Sequence, residues 1–269
     1  MSIVKPVKPV LQMGHPLARG LIGAWTFHEG SGGTGIKIQN VANRAASTGT
    51  FGVHAAIGSL TAPTWVAGPF GPALSFNGTS SVIGNFTRND IPLALHDGSE
   101  ITMAVWFKGS HGQSALRIQT SDGTGYALPI WEGGSSPKSI FSWDDTTNGL
   151  IWNGSVNDGN LHFLVTTRKT SGSWINYFDS KVDGTRSSNS TTNTFTSAAY
   201  DWAMGMFSGS AGEFTNGIVD APMVWNRVLT ATEVSMLYRD PFQMFRKKRS
   251  VLRHLAPGPT RRKTYNMGY

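Results

Sequence analysis

Two carboxylates a few ångströms apart on one strand face are enough to hydrolyse a glycosidic bond, at roughly 5 to 5.5 Å when the enzyme is a retaining one. The sequence holds sixteen Asp and Glu, and nothing like E-x-D-x-x-E occurs among them. Asp144 and Asp145 are adjacent, which on a strand sends them to opposite faces, and the Thr-Thr-Asn-Gly that follows reads as a turn. No catalytic pair is expected. His15, His28, His54, His96, His111, His162 and His254 show neither H-x-x-x-H nor H-E-x-x-H spacing, so no zinc site is expected. There is no Gly-x-Ser-x-Gly elbow and no phosphate-binding loop. Calcium wants six to eight oxygens, and the loop acids Asp122, Asp144, Asp145 and Asp158 form no dense cluster; calcium is therefore not predicted, and no cofactor is expected. Without cysteine, no disulfide or thiolate metal site exists.

Binding is the other chemistry on offer. Of nine tryptophans, Trp131, Trp143 and Trp152 lie in or beside Gly-, Ser- and Asn-rich stretches and are the candidate platforms for stacking a sugar, whereas Trp25, Trp106 and Trp225 fall on strand faces and read as core. From Arg239 to Tyr269 nine Lys or Arg face one acid, Asp240, so this segment carries +8 of a whole-chain +7 and the rest is −1. Arg246, Lys247, Lys248, Arg249, Arg253, Arg261, Arg262 and Lys263, with Phe242 and Phe245 among them, are the candidate partner-binding residues. Such a segment neutralises nucleic-acid phosphates, but the interleaved Leu252, Leu255, Met267 and Tyr269 would be wasted on phosphate. An acidic protein surface is the expected partner, and nucleic acid the lesser one. Met1 to Gly20 forms a second arm, in which Lys5-Pro6-Val7-Lys8-Pro9-Val10 favours extended, polyproline-like backbone. The N-terminus has no apolar run long enough for a signal peptide, and nothing approaches a membrane span; assembly in a cytoplasm is expected.

The elements that would carry these residues are strands. Gly 32, Pro 13 and only 14% charged residues suit many short strands and frequent turns. In Glu100 to Lys108, Ile101, Met103, Val105 and Phe107 alternate with Thr102, Ala104 and Trp106, which predicts a strand with Phe107 buried. Leu21 to Phe27, Ala73 to Phe76, Ser114 to Gln119, Tyr126 to Trp131, Ser139 to Trp143, Leu161 to Thr167, Trp174 to Phe178 and Ala199 to Met206 read as further strands, and Ser80 to Phe86 as the return of a hairpin through Asn77-Gly78. Gly217 to Trp225 places Val219, Ala221, Met223 and Trp225 on one apolar face, and Pro222 demands an edge or a bulge. Thr230 and Glu233 form a capping box with Leu229 and Val234 as its staple, giving a short helix that Pro241 stops.

Three stretches resemble laminin-G-like, concanavalin A-type sandwich domains. They are Leu21-Ile22-Gly23-Ala24-Trp25-Thr26-Phe27-His28-Glu29-Gly30, Gly71-Pro72-Ala73-Leu74-Ser75-Phe76-Asn77-Gly78, and the block Gly217, Ile218, Asp220, Val224, Trp225, Asn226, Arg227, Leu229, Thr230, Glu233, Leu237, Tyr238. The run from Asn157 to Ser180 is similar too, with Leu161 where the family has Trp and Ser180 where it has Gly. The resemblance implies an all-β antiparallel sandwich of jelly-roll type over residues 21–240, with one short C-terminal helix and extended arms at 1–20 and 241–269. The opening HPLARGLIGAWTFHEGSG and the ending LYRDPFQMFR are also similar to lectin-fold virion proteins of tailed bacteriophages. That likeness implies a non-enzymatic virion protein, such as a capsid decoration protein bound to the major capsid protein or a neighbour, and a homo-oligomer. The alternatives are a carbohydrate-binding adhesion module of a tail or fibre, with a surface glycan as ligand, and, more remotely, a glycanase.

Overall fold

The computed structural model describes residues 3–42, 48–51, 60–84, 100–111, 115–120, 126–131, 136–140, 149–169, 173–187, 200–206 and 214–246. In chain order the strands are β1 (Leu21–Ala24), β2 (Lys37–Gln39), β3 (Thr48–Phe51), β4 (Thr64–Gly68), β5 (Gly71–Asn77), β6 (Ile83–Gly84), β7 (Ile101–His111) and β8 (Arg117–Thr120). They continue with β9 (Tyr126–Trp131), β10 (Lys138–Ile140), β11 (Leu150–Ile151), β12 (Leu161–Arg168), β13 (Trp174–Phe178), β14 (Lys181–Arg186), β15 (Tyr200–Ala203) and β16 (Asn216–Trp225), after which comes the helix α1 (Ala231–Arg239).

The back sheet runs β14-β13-β12-β7-β16-β5-β4, with β1 also pairing β16. The front sheet runs β11-β10-β9-β8-β15, and the reciprocal bonds of Ile83 and Met204 continue it into β6-β3-β2. All strand pairs are antiparallel. Between the sheets lies the main core, with Ile101, Met103, Val105 and Phe107 of β7 facing Leu116, Ile118 and Ile130 of the front sheet. Polar contacts cross it at Asn176, whose Oδ1 accepts from the Ser139 hydroxyl at 2.8 Å and whose Nδ2 donates to Leu150 O at 3.2 Å.

The alternate residues of β7, Ala104 and Trp106, belong to a second core on the outer face of the back sheet. A sheet face this apolar has to be covered. Here the cover is α1, the N-terminal strap from Ile3 to Gly20, and a 3-10 turn at Gln243–Phe245. Phe242 and Phe245 were expected to meet a partner; they are 0% and 2% exposed and pack on this face instead, because the back sheet leaves it bare otherwise. The body therefore reaches Arg246, not 240, and the strap before residue 21 lies on it.

Two local expectations also fail. Residues after Asn77 do not return beside β5: Asn77 Oδ1 accepts from the backbone N–H of Thr79, Ser80 and Ser81, and the chain crosses to the front sheet, where β6 pairs β3. The hairpin partner of β5 is β4, through the turn at Pro69-Phe70, and its other neighbour is β16. In β16, Pro222 does fall in a bulge, between Asp220 and Met223. Its extra residue, with Ala221 at φ 45°, flips the pleat. Val219 and Val224 hence face the main core while Ala221, Met223 and Trp225 face the cover, so the expected single face is split.

Candidate functional site

Of the expected chemical residues, Trp152 and Asp158 are described with their side chains, and both serve the fold. Trp152 is 3% exposed in the main core, its Nε1–H donating to Pro129 O at 3.1 Å, so it presents no face to a sugar. Trp131 ends β9, and nothing is described of its side chain. Asp122, Trp143, Asp144, Asp145, Lys247, Lys248, Arg249, Arg253, Arg261, Arg262 and Lys263 lie outside the described residues. Asp158 is bound to structure: it accepts from Asn160 N–H, which holds its carboxyl below the usual range, and from His162 Nε2 at 3.1 Å. His162 Nδ1 contacts Asp179 Oδ2 at 2.9 Å, and Asp179 Oδ1 accepts from Phe163 N–H. The imidazole thus orders a turn instead of activating a nucleophile. Among the described residues no group of three His, Asp or Glu is placed to hold a metal ion.

The charged groups that the fold does bring together lie on the covered back face. Here Lys5 is 6% and Asp220 0% exposed, and the ammonium donates to Asp220 Oδ1 and to the Pro72 carbonyl. It also sits 5.7 Å from the Phe27 ring centroid and 5.9 Å from that of Phe242, so a cation is held among aromatic faces. Burial pushes Asp220 up to about 6 against the pull of Lys5, and burial pulls Lys5 down. Removing one partner would strand the other charge in the core.

The motif residues at and just beyond the end of β16 hold the strap as well. Trp225 Nε1–H donates to Leu17 O at 2.7 Å, Asn226 N–H to Gly20 O at 2.8 Å, and Arg227 to the carbonyls of Arg19 and Pro16. The same guanidinium grips Glu233 with both ends, at 2.7 and 2.9 Å. Burial would raise the Glu233 carboxyl, but Arg227 and the Thr230 N–H outweigh it and the group sits below its usual range. Gly20, at φ 71°, is where the strap turns into β1; a Cβ there would meet Asn226 Oδ1 at 2.7 Å.

The two ends of the cover meet at Arg246, which pairs with Asp240 at 2.5 Å and donates to Val4 O, while Gln12 N–H donates to Met244 O at 2.8 Å. A cavity of about 590 Å³ opens between Gln12–Pro16 and Gln243 with Arg246. The role of Lys5 carried no warning in the sequence beyond its place in an extended stretch. A shallow groove of about 370 Å³ lies elsewhere, along the β4 edge between Gly30, Trp65 and Pro72, where Trp65 Nε1–H donates to Gly32 O at 2.9 Å. No helix among the described residues is long and apolar enough to cross a membrane.

No curated protein sequence matches the chain. Among solved structures it is similar to domain 4 of AbnA, a GH43 extracellular arabinanase from Geobacillus stearothermophilus solved with arabinotriose: TM-score 0.57, 17% identity, 81% of this chain and 98% of that one. It is also similar to Trypanosoma rangeli sialidase, with TM-score 0.58 and 16% identity over 91% of this chain and 37% of that one, so it spans little more than a third of the enzyme. The binding domain of Botulinum neurotoxin DC in complex with SialylT gives TM-score 0.51 and 10% identity over 83% of this chain and 52% of that one. At these identities the likeness is one of fold. The family model described as the concanavalin A-like lectin/glucanases superfamily matches residues 84–235, from β6 through the capping box, and the chain belongs to that family.

Proposed function

We propose that the protein is a non-enzymatic structural component of a larger assembly, a surface protein of a tailed-bacteriophage virion such as a capsid decoration protein, attached through its back face and the basic segment beyond Arg246. The observation that carries this reading is the bond from Arg246 to the Val4 carbonyl, which starts the basic segment beside the N-terminal strap on one face. Among the described residues, Asp220, Glu233 and Asp240 are each paired internally, with Lys5, Arg227 and Arg246. An acidic protein surface, such as the major capsid protein or a neighbouring virion protein, is the partner that complements a segment of this charge.

The test is co-sedimentation of the full chain and of a chain ending at Arg246 with purified particles. The shortened protein should stay folded and bind more weakly, and binding of the full chain should fall as salt screens charges beyond roughly 8 to 10 Å. Equal occupancy by both chains would overturn the role of the segment, and no co-sedimentation of the full chain would overturn the reading itself.

A second reading is a carbohydrate-binding adhesion module. The groove beside Trp65 supports it, since a half-buried indole at a groove wall is a surface for stacking a sugar ring. A glycan array that detects no ligand sensitive to Trp65→Ala would remove it. Turnover of any polysaccharide would overturn the non-enzymatic assignment common to both readings.

A further inference from the structure

The strap has an inner and an outer side, and the large apolar residues of the outer side recur every third position. Ile3, Lys5, Pro9 and Leu11 are buried or half-buried toward the body. Val4, Val7, Val10 and Met13 are 61%, 82%, 47% and 79% exposed. Extended Pro-rich backbone repeats its side-chain direction every third residue, so the four outward residues form a broken ridge, interrupted by a bend at Val7–Lys8. Large apolar side chains at such exposure are ordinary when single; four in a row along ten residues are not. The inner side explains the fold of the strap, and among the described residues the outer side has no structural use.

We infer that this ridge is a docking surface for an apolar groove rimmed by carboxylates on a neighbouring protein, an inference that rests on the assembly reading above and names the contact that reading lacks. The shape argument is that a narrow ridge of side-chain tips on a stiff extended backbone loses little entropy on entering a groove, the mode by which Pro-rich segments are recognised. The charge argument sets the rim. Lys8 is exposed on the strap itself, and among the described residues no carboxylate pairs with it, with Arg19 or with Arg239 on the same cover. Seven further Lys or Arg follow Arg246 in the sequence. A second copy of this chain would bring like charges together around the ridge, and is therefore the disfavoured occupant.

The test uses the full-length chain and purified particles. Val7→Ser with Val10→Ser changes only outward side chains, so its melting temperature should match the parent, while its affinity for particles should fall about tenfold or more as two apolar contacts are lost. A photo-crosslinking residue placed at Val7 should capture a particle peptide rich in apolar and acidic residues, and one placed at Thr232 on the exposed side of α1 should not. If the parent sediments with particles and the double variant does so equally, the ridge is not the contact and the assembly reading stands without it. If the Val7 crosslink joins two copies of this chain, the occupant is wrong. If the parent does not sediment with particles at all, the assembly reading fails and takes this inference with it.

Discussion

Lys5 and Asp220 lie 215 positions apart in the chain and meet in a space from which water is excluded. Asp220 takes up its proton at about 6 when folded, against an ordinary 3.8. Between those values the folded state binds more protons than the unfolded one, so stability should rise as pH falls from about 6 to about 4 and be level in this respect above 7. The measurement is the urea midpoint of the parent against Lys5→Met with Asp220→Leu, which removes both charges and leaves no orphaned charge. The parent's advantage over the double variant should grow toward pH 4. If it shrinks instead, Lys5 dominates over burial and Asp220 titrates below its ordinary value. Lys5→Met alone should cost about 3 to 5 kcal/mol at neutral pH, since it leaves a buried carboxylate unpaired.

At the scale of elements, α1 is nine residues long and owes its start to side chains. Thr230 accepts from Glu233 N–H at 3.3 Å and Glu233 accepts from Thr230 N–H at 2.9 Å. Thr230→Ala should cost about 1 kcal/mol by thermal melting; no change would mean that Arg227 alone positions Glu233. This helix was legible because capping is local. So was β7, whose alternation persists because it is central and buried on both faces. The faces of β16 were not, since a bulge inverts the pleat without altering composition, and Pro222 announces an irregularity but not its phase. The strand after Asn77 was misread for a related reason: an Asn-Gly turn fixes a reversal, not the sheet the chain then joins. Lys5 was illegible as a site residue because its partner is distant and its neighbours, Pro and Val, describe only an extended chain.

For the whole molecule, the cover decides where the fold ends. Composition draws a boundary at Pro241, where basic residues begin to gather, but the fold places Phe242, Met244 and Phe245 at 0%, 0% and 2% exposure against Trp106, Phe163 and the helix. Phe242 meets Phe70 edge-on with centroids 5.6 Å apart, and Phe70 meets Trp106 at 5.1 Å, so this short turn closes an aromatic chain that begins in the central strand. Each of these three side chains contributes about 1.5 to 3 kcal/mol by its burial, and Phe242 also supplies one ring beside the Lys5 ammonium. Two truncations separate a charge boundary from a packing boundary. A chain ending at Arg246 should melt within a few degrees of the full protein, because it keeps every residue of the second core as described. A chain ending at Pro241 should melt far lower or fail to fold, and the loss should extend to the strap, detected as faster backbone hydrogen exchange at Lys5 and Gln12, whose N–H groups bond Phe70 and Met244. Equal melting of the two chains would mean that the turn merely rests on the back face, and the outer core would then be closed by α1 and the strap alone.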